Sequence, residues 1–153
     1  MRGKVVAIGL IAFAAAFGAA MWWSKTRAFY EPMAPAAEVT AAGLTLAVED
    51  FEGIDAPTSP LKMRACFRLT PAAAAALDAL APAPDPRPLV APGWFECFDA
   101  GALTRDLEAG AARAVIAERD APEGFDRIIA YRPDGRAFMW RQLNERFADE
   151  RPR

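Results

Sequence analysis

Leu61-Lys62-Met63-Arg64-Ala65-Cys66-Phe67-Arg68-Leu69 alternates apolar and polar residues more regularly than any other stretch of the chain. Successive side chains of a strand point to opposite faces. A period of two therefore puts Leu61, Met63, Ala65, Phe67 and Leu69 on one face and Lys62, Arg64, Cys66 and Arg68 on the other. Upstream, Leu44, Leu46 and Val48 alternate with Thr45, Ala47 and Glu49 as a second half-buried strand, before residues 53–60 break the chain. Downstream, Thr70-Pro71 offers an N-cap and a first-turn proline for a short helix over 72–80.

Pro82, Pro84, Pro86, Pro88 and Pro92 then forbid regular structure and predict a stiff connector. Trp94-Phe95-Glu96-Cys97-Phe98 reads as a brief buried strand. Asp99 opens a helix that carries Leu103 and Leu107 one turn apart and ends at Gly110. Residues 112–118, centred on Val115 and Ile116, predict a further strand. The last two, 127–131 and 136–142, are joined by Arg132-Pro133-Asp134-Gly135, a tight hairpin turn with a fixed proline φ and a left-handed glycine. The order β-β-α-β-α-β-β makes the fold α+β, a mainly antiparallel sheet with two short helices.

Ahead of this domain, Val5 to Trp23 run without a charge between Arg2 and Lys4 on one side and Lys25 and Arg27 on the other. Such a helix reaches about 29 Å, close to the roughly 30 Å hydrocarbon thickness of a bilayer. Gly18-Ala19-Ala20 offers small residues that a signal peptidase would accept. The apolar run is nevertheless longer than a signal core, and Trp22-Trp23 with Phe29-Tyr30 resembles the aromatic belt of a retained span. The organisation expected is an anchor with its flanks over 1–30 and a Pro- and Ala-rich tether over 31–42. An extracytoplasmic domain over 43–143 and a flexible charged tail over 144–153 complete it. Basic flanks nearly balance, and a short N-terminal tail tips the chain toward N-inside, with the domain on the periplasmic side of a bacterial inner membrane. An Ala- and Arg-rich, Lys-poor composition fits that source.

Composition removes several chemistries. The chain has no histidine, which excludes Ser–His–Asp and Cys–His catalysis, His-ligated metal sites and histidine phosphotransfer. Two cysteines are too few to hold zinc or an iron–sulfur cluster by thiolates alone. Residues 24–153 carry all 20 acidic residues and all but Arg2 and Lys4 of the 18 basic ones, an acidic surplus that argues against nucleic acid. No catalytic residue, metal ligand set or cofactor is expected.

Cys66 and Cys97 are the disulfide candidates, because two cysteines in an exported domain usually pair. The bridge would enclose the helix and the proline connector and stabilise by roughly 3 to 4 kcal/mol. A redox pair is the sharper alternative, since Lys62, Arg64 and Arg68 share a strand face with Cys66 and would favour a thiolate. Arg64, Arg68, Arg136 and Arg141, with Trp140, are candidates for an interface or an anion site. Ala12, Ala16 and Ala20 recur every four residues and would let a partner helix approach closely.

Ser59-Pro60, Arg64-Ala65-Cys66-Phe67, 91–99 (Ala-Pro-Gly-Trp-Phe-Glu-Cys-Phe-Asp) and Pro133-Asp134-Gly135-Arg136-Ala137-Phe138 follow an anchor ending in Phe29-Tyr30. Together they resemble an uncharacterised family of small, single-anchor bacterial membrane proteins that share a domain of unknown function. The resemblance covers most of the chain and implies no activity. The expected role is a non-enzymatic accessory or assembly protein of a larger membrane complex, with the bilayer and a membrane protein as partners. The alternatives are an envelope thiol/disulfide factor and an anion-binding module on an arginine-rich sheet face.

Overall fold

A computed structural model of the chain describes residues 2–148. Its elements are α1 (Arg2–Thr26), β1 (Glu31–Pro32), β2 (Glu38–Ala41), β3 (Leu44–Asp55), a 3-10 turn (Pro60–Lys62) and β4 (Arg64–Leu69). After these come α2 (Pro71–Asp78), α3 (Ala100–Glu108), β5 (Arg113–Glu118), β6 (Phe125–Tyr131), β7 (Arg136–Leu143) and α4 (Glu145–Ala148). The fold is α+β: an open antiparallel sheet in the order β1-β3-β4-β7-β6-β5, with β2 also paired to β3.

The predicted alternation of β4 is the seam of the molecule. Met63, Ala65, Phe67 and Leu69 face a core that α2 closes with Ala73 and Leu77, while β5, β6 and β7 contribute Val115, Ile129 and Met139. The opposite face is buried as well at Arg64 and Cys66, with Arg68 left exposed. Cys66 there joins Ile54, Ile128, Phe138 and Trp140 under a cover of Phe95, Phe98 and Leu103. The 92–98 segment and α3 form a second layer over that face.

Local chemistry sets the helix ends. Thr70 accepts from the Ala73 N–H at 3.3 Å with Pro71 as first helical residue, and Asp99 accepts from the Ala102 N–H at 2.9 Å. In the β6–β7 hairpin Gly135 has φ +85°, and a Cβ there would meet the Leu69 carbonyl at 3.2 Å.

Three expectations are corrected. Residues 31–42 are no tether: β1 and β2 pair with β3, and Val39 and Ala41 are buried. The strand over 94–98 is absent; Pro92 and Gly93 lead into turns that bury Phe95 and Phe98 and leave Trp94 partly exposed. The break expected at residue 53 lies after residue 55. β3 instead bulges between Glu49 and Glu52, where Asp50 takes φ +53°, and the shift hides the strand from a period-two reading. Gly53 lets the incoming chain pass, since a Cβ would stand 2.8 Å from the Met33 Sδ. Met33 donates its N–H to the Gly53 carbonyl at 2.8 Å.

The tail also begins later than expected. Asn144 is buried, donating its main-chain N–H to Gly124 and its amide to Asp120, each at 2.9 Å, and α4 follows. Residues 149–153 of that tail lie outside the described residues. At the other end, α1 is long and apolar enough to cross a membrane and is exposed from residue 3 to residue 23.

Because the two cores lie on opposite faces, each should be probed independently. Leu77→Ala and Leu103→Ala should each cost about 2 to 5 kcal/mol, and their effects should add in the double variant. Urea unfolding midpoints of the three variants check this; strong coupling between them would show the layers are not separate.

Candidate functional site

The residues singled out on the polar face of β4 and on its neighbour β7 come together in space, because the register pairs Arg64 with Trp140, Cys66 with Phe138 and Arg68 with Arg136. Cys66 and Cys97 are joined, with their sulfurs 2.13 Å apart. The bridge ties β4 to the residues just before α3.

Two positions from the bridge, Arg64 is 3% exposed and has no carboxylate partner among the described residues. Its Nε donates to the Leu89 carbonyl at 2.8 Å and its Nη2 to that of Val90 at 3.2 Å. Its Nη1 donates to the carbonyls of Leu61 at 2.7 Å and Met63 at 2.6 Å. The guanidinium also lies 5.6 Å from the centre of the Phe98 ring. Burial pushes its pKa down to about 10, so it remains a cation at neutral pH.

Sequence chemistry explains this arrangement. Proline has no N–H, so a segment with proline at every second position has carbonyls without matching donors, and arginine is a pure multi-donor. Other sheet side chains act alike on the same connector. Arg113 donates to the Leu80 carbonyl at 2.6 Å, while Gln142 donates to that of Asp85 and accepts from the Arg87 N–H, both at 2.8 Å. Trp140 is fully buried and donates to Gln142 Oε1 at 3.1 Å. Arg64 and Trp140, expected as surface anchors, are thus structural and unavailable to a partner.

The remaining arginines are largely engaged. Arg68 donates to the Asp134 carbonyl at 3.1 Å, and Arg136 bonds the Asp134 carboxylate at 2.7 Å. The Arg136 main-chain N–H first, and then its side chain, hold the Asp134 carboxyl below the usual carboxylate range. Arg141 pairs with Asp55 at 3.1 Å, and Arg132 bonds Asp106 while lying 4.9 Å from the centre of the Phe138 ring. An anion approaching Arg68 and Arg136 must compete with Asp134.

Two features escaped the sequence reading. One is a cavity of about 120 Å³ between the connector and the ends of β5–β7, lined by Ile116, Ile128, Asp126, Gln142 and Asn144 among others. It is well below the roughly 300 Å³ at which organic ligands are usually held, so it suits a few waters. The other is the junction with α1, where Trp94 donates its indole N–H to the Thr26 carbonyl at 2.5 Å. Tyr30 meets Trp94 edge-on at 5.8 Å. The helix side of that junction is aromatic and basic and the Trp94 side is aromatic, yet nothing in the spacing of 30 and 94 says that they meet. Ala12, Ala16 and Ala20 are exposed on α1. Among the described residues, no group of three or more potential metal ligands comes together.

The molecule is therefore a two-layered, disulfide-joined α+β domain carried directly on an apolar helix. The chain belongs to a family of unknown function (DUF6446), whose profile matches residues 33–150. No curated protein and no solved structure matches it.

Replacing Arg64 by Met should remove the donors and strand four main-chain carbonyls, costing about 3 kcal/mol or more. Limited digestion with thermolysin should then open the Leu89–Val90 region at protease levels that leave the native chain intact. Unchanged digestion would show that the disulfide alone holds the connector.

Proposed function

We propose that the protein is a single-pass, membrane-anchored accessory or assembly partner of a larger membrane complex, with its folded domain on the periplasmic side of a bacterial inner membrane. The observation that carries this reading is a free-standing helix joined to the head by a short junction: α1 is exposed from residue 3 to residue 23, and only residues 27–30 separate it from β1. A helix of this kind contributes area to a bilayer or to other helices, and Ala12, Ala16 and Ala20 give a neighbour a low-relief path. Internal use of the polar groups supports a binding role over chemistry, since Arg64, Arg132 and Arg141 are all engaged within the domain. The disulfide fits an oxidising compartment and thereby the N-inside orientation.

A thiol/disulfide exchange role is the second reading, and one observation favours it. Cys97 is only partly buried and stands three residues before the start of α3, in a surface depression that also contains Arg132 and Arg136. Helix N-termini and cations lower thiol pKa values and ease exchange.

Purification of the full chain in mild detergent, with identification of bound proteins, should recover a membrane complex that is lost or incomplete when the chain is deleted. A lone monomer, with every membrane complex intact after deletion, sinks the accessory role. Replacing Cys66 and Cys97 together by Ser separates the two readings. A loss of about 3 to 4 kcal/mol with assembly preserved marks a structural bridge, whereas lost function at unchanged stability marks exchange chemistry.

A further inference from the structure

The short junction places one rim of the domain against the end of α1, and that rim is rich in aromatic side chains with cations beside them. Trp22, Trp23 and Phe29 are more than half exposed, Trp94 is 36% exposed and Val90, four residues before it, is 83% exposed. Cations are interleaved with them. The Arg27 guanidinium lies 5.9 Å from the Trp94 ring centre, and Lys62 Nζ lies 5.9 Å from that of Phe29 and 5.2 Å from that of Tyr30. Lys25, in the last turn of α1, and Arg27, just beyond it, are exposed. The exposed acids in and beside the same segments are Glu31, Glu96 and Asp99, the last of which is engaged in accepting from the Ala102 N–H at the start of α3.

Depth follows from helix geometry. Thr26 stands three residues past Trp23, about 4.5 Å further along the axis, whereas the headgroup layer on each side of a bilayer is roughly 5 to 8 Å deep. The Trp94 indole, bonded to the Thr26 carbonyl, must then lie at headgroup level. Indole rings and basic side chains favour that zone, the first through an amphipathic ring and the second through attraction to anionic lipid.

We propose that the rim formed by Arg27, Phe29, Lys62, Val90 and Trp94 binds the headgroup layer of an anionic phospholipid bilayer, so that the domain lies on the membrane surface. This rests on the reading that α1 spans the membrane.

The test uses the full-length chain with Trp22→Phe and Trp23→Phe, reconstituted in nanodiscs of phosphatidylcholine with or without phosphatidylglycerol. Trp94 is then the reporter, and the fully buried Trp140 supplies an internal reference for folding. Nitroxide on the lipid headgroup should quench Trp94, and nitroxide near the acyl terminus should not. Lys62→Gln should lower the docked-to-free ratio about fivefold with phosphatidylglycerol present and leave it unchanged in phosphatidylcholine alone. An unquenched Trp94 in chains that remain in the discs overturns the rim contact while leaving the span intact; chains that leave the discs overturn both. Equal effects of Lys62→Gln in the two lipids overturn the anionic recognition.

Discussion

A guanidinium surrounded by main-chain carbonyls holds this domain's second layer in place. Arg64 and Cys66, two apart on β4, grip the same crossing segment, one through hydrogen bonds at Leu89 and Val90 and the other through a covalent bond at Cys97. Remove that grip and Phe95, Phe98 and Leu103 lose their seat over Phe138 and Trp140. Proline chemistry makes an arginine the natural partner. Poor in N–H groups, the connector pairs with β5 only where Ala83 donates to the Ala114 carbonyl, and elsewhere it is fastened largely from its carbonyl side by donor side chains. The low cost of ordering a segment already stiffened by proline adds to the effect.

The legible parts of the fold are those whose information is local. The β4 alternation, the Thr70 and Asp99 caps and the Pro-Asp-Gly turn each occupy a few consecutive residues and were readable as such. What was not legible depended on distant partners. Arg64 looks solvent-facing in its strand because its acceptors at Leu89 and Val90 are 25 and 26 residues away. β2 shows Val39 and Ala41 alternating with Glu38 and Thr40, but over four residues that pattern is indistinguishable from a linker until β3 pairs with it. Trp94 to Phe98 is aromatic enough for a strand, and only the bridge at Cys97 and the preceding Pro92-Gly93 show why it turns.

The site candidates divide in the same way. Joining Cys66 to Cys97 required only counting cysteines and a compartment, so it was within reach of the sequence. Assigning arginines to a surface required knowing which were already bonded, and most of them are. Once Asp134, Asp106 and Asp55 have taken Arg136, Arg132 and Arg141, the positive charge of the sheet is internal wiring and little of it is left to greet a ligand. Polar groups satisfied in this manner rigidify a domain and make it a good platform for shape-based contacts.

The junction between α1 and the head has a mechanical consequence. With only residues 27–30 intervening and Trp94 bonded to the last residue of the helix, little slack exists for the head to swivel about its stalk. Each residue of an α-helix advances the azimuth by about 100°. A neighbour that grips α1 from one compass bearing therefore also selects which flank of the sheet domain is turned toward it, as a key's bit is set by its shaft.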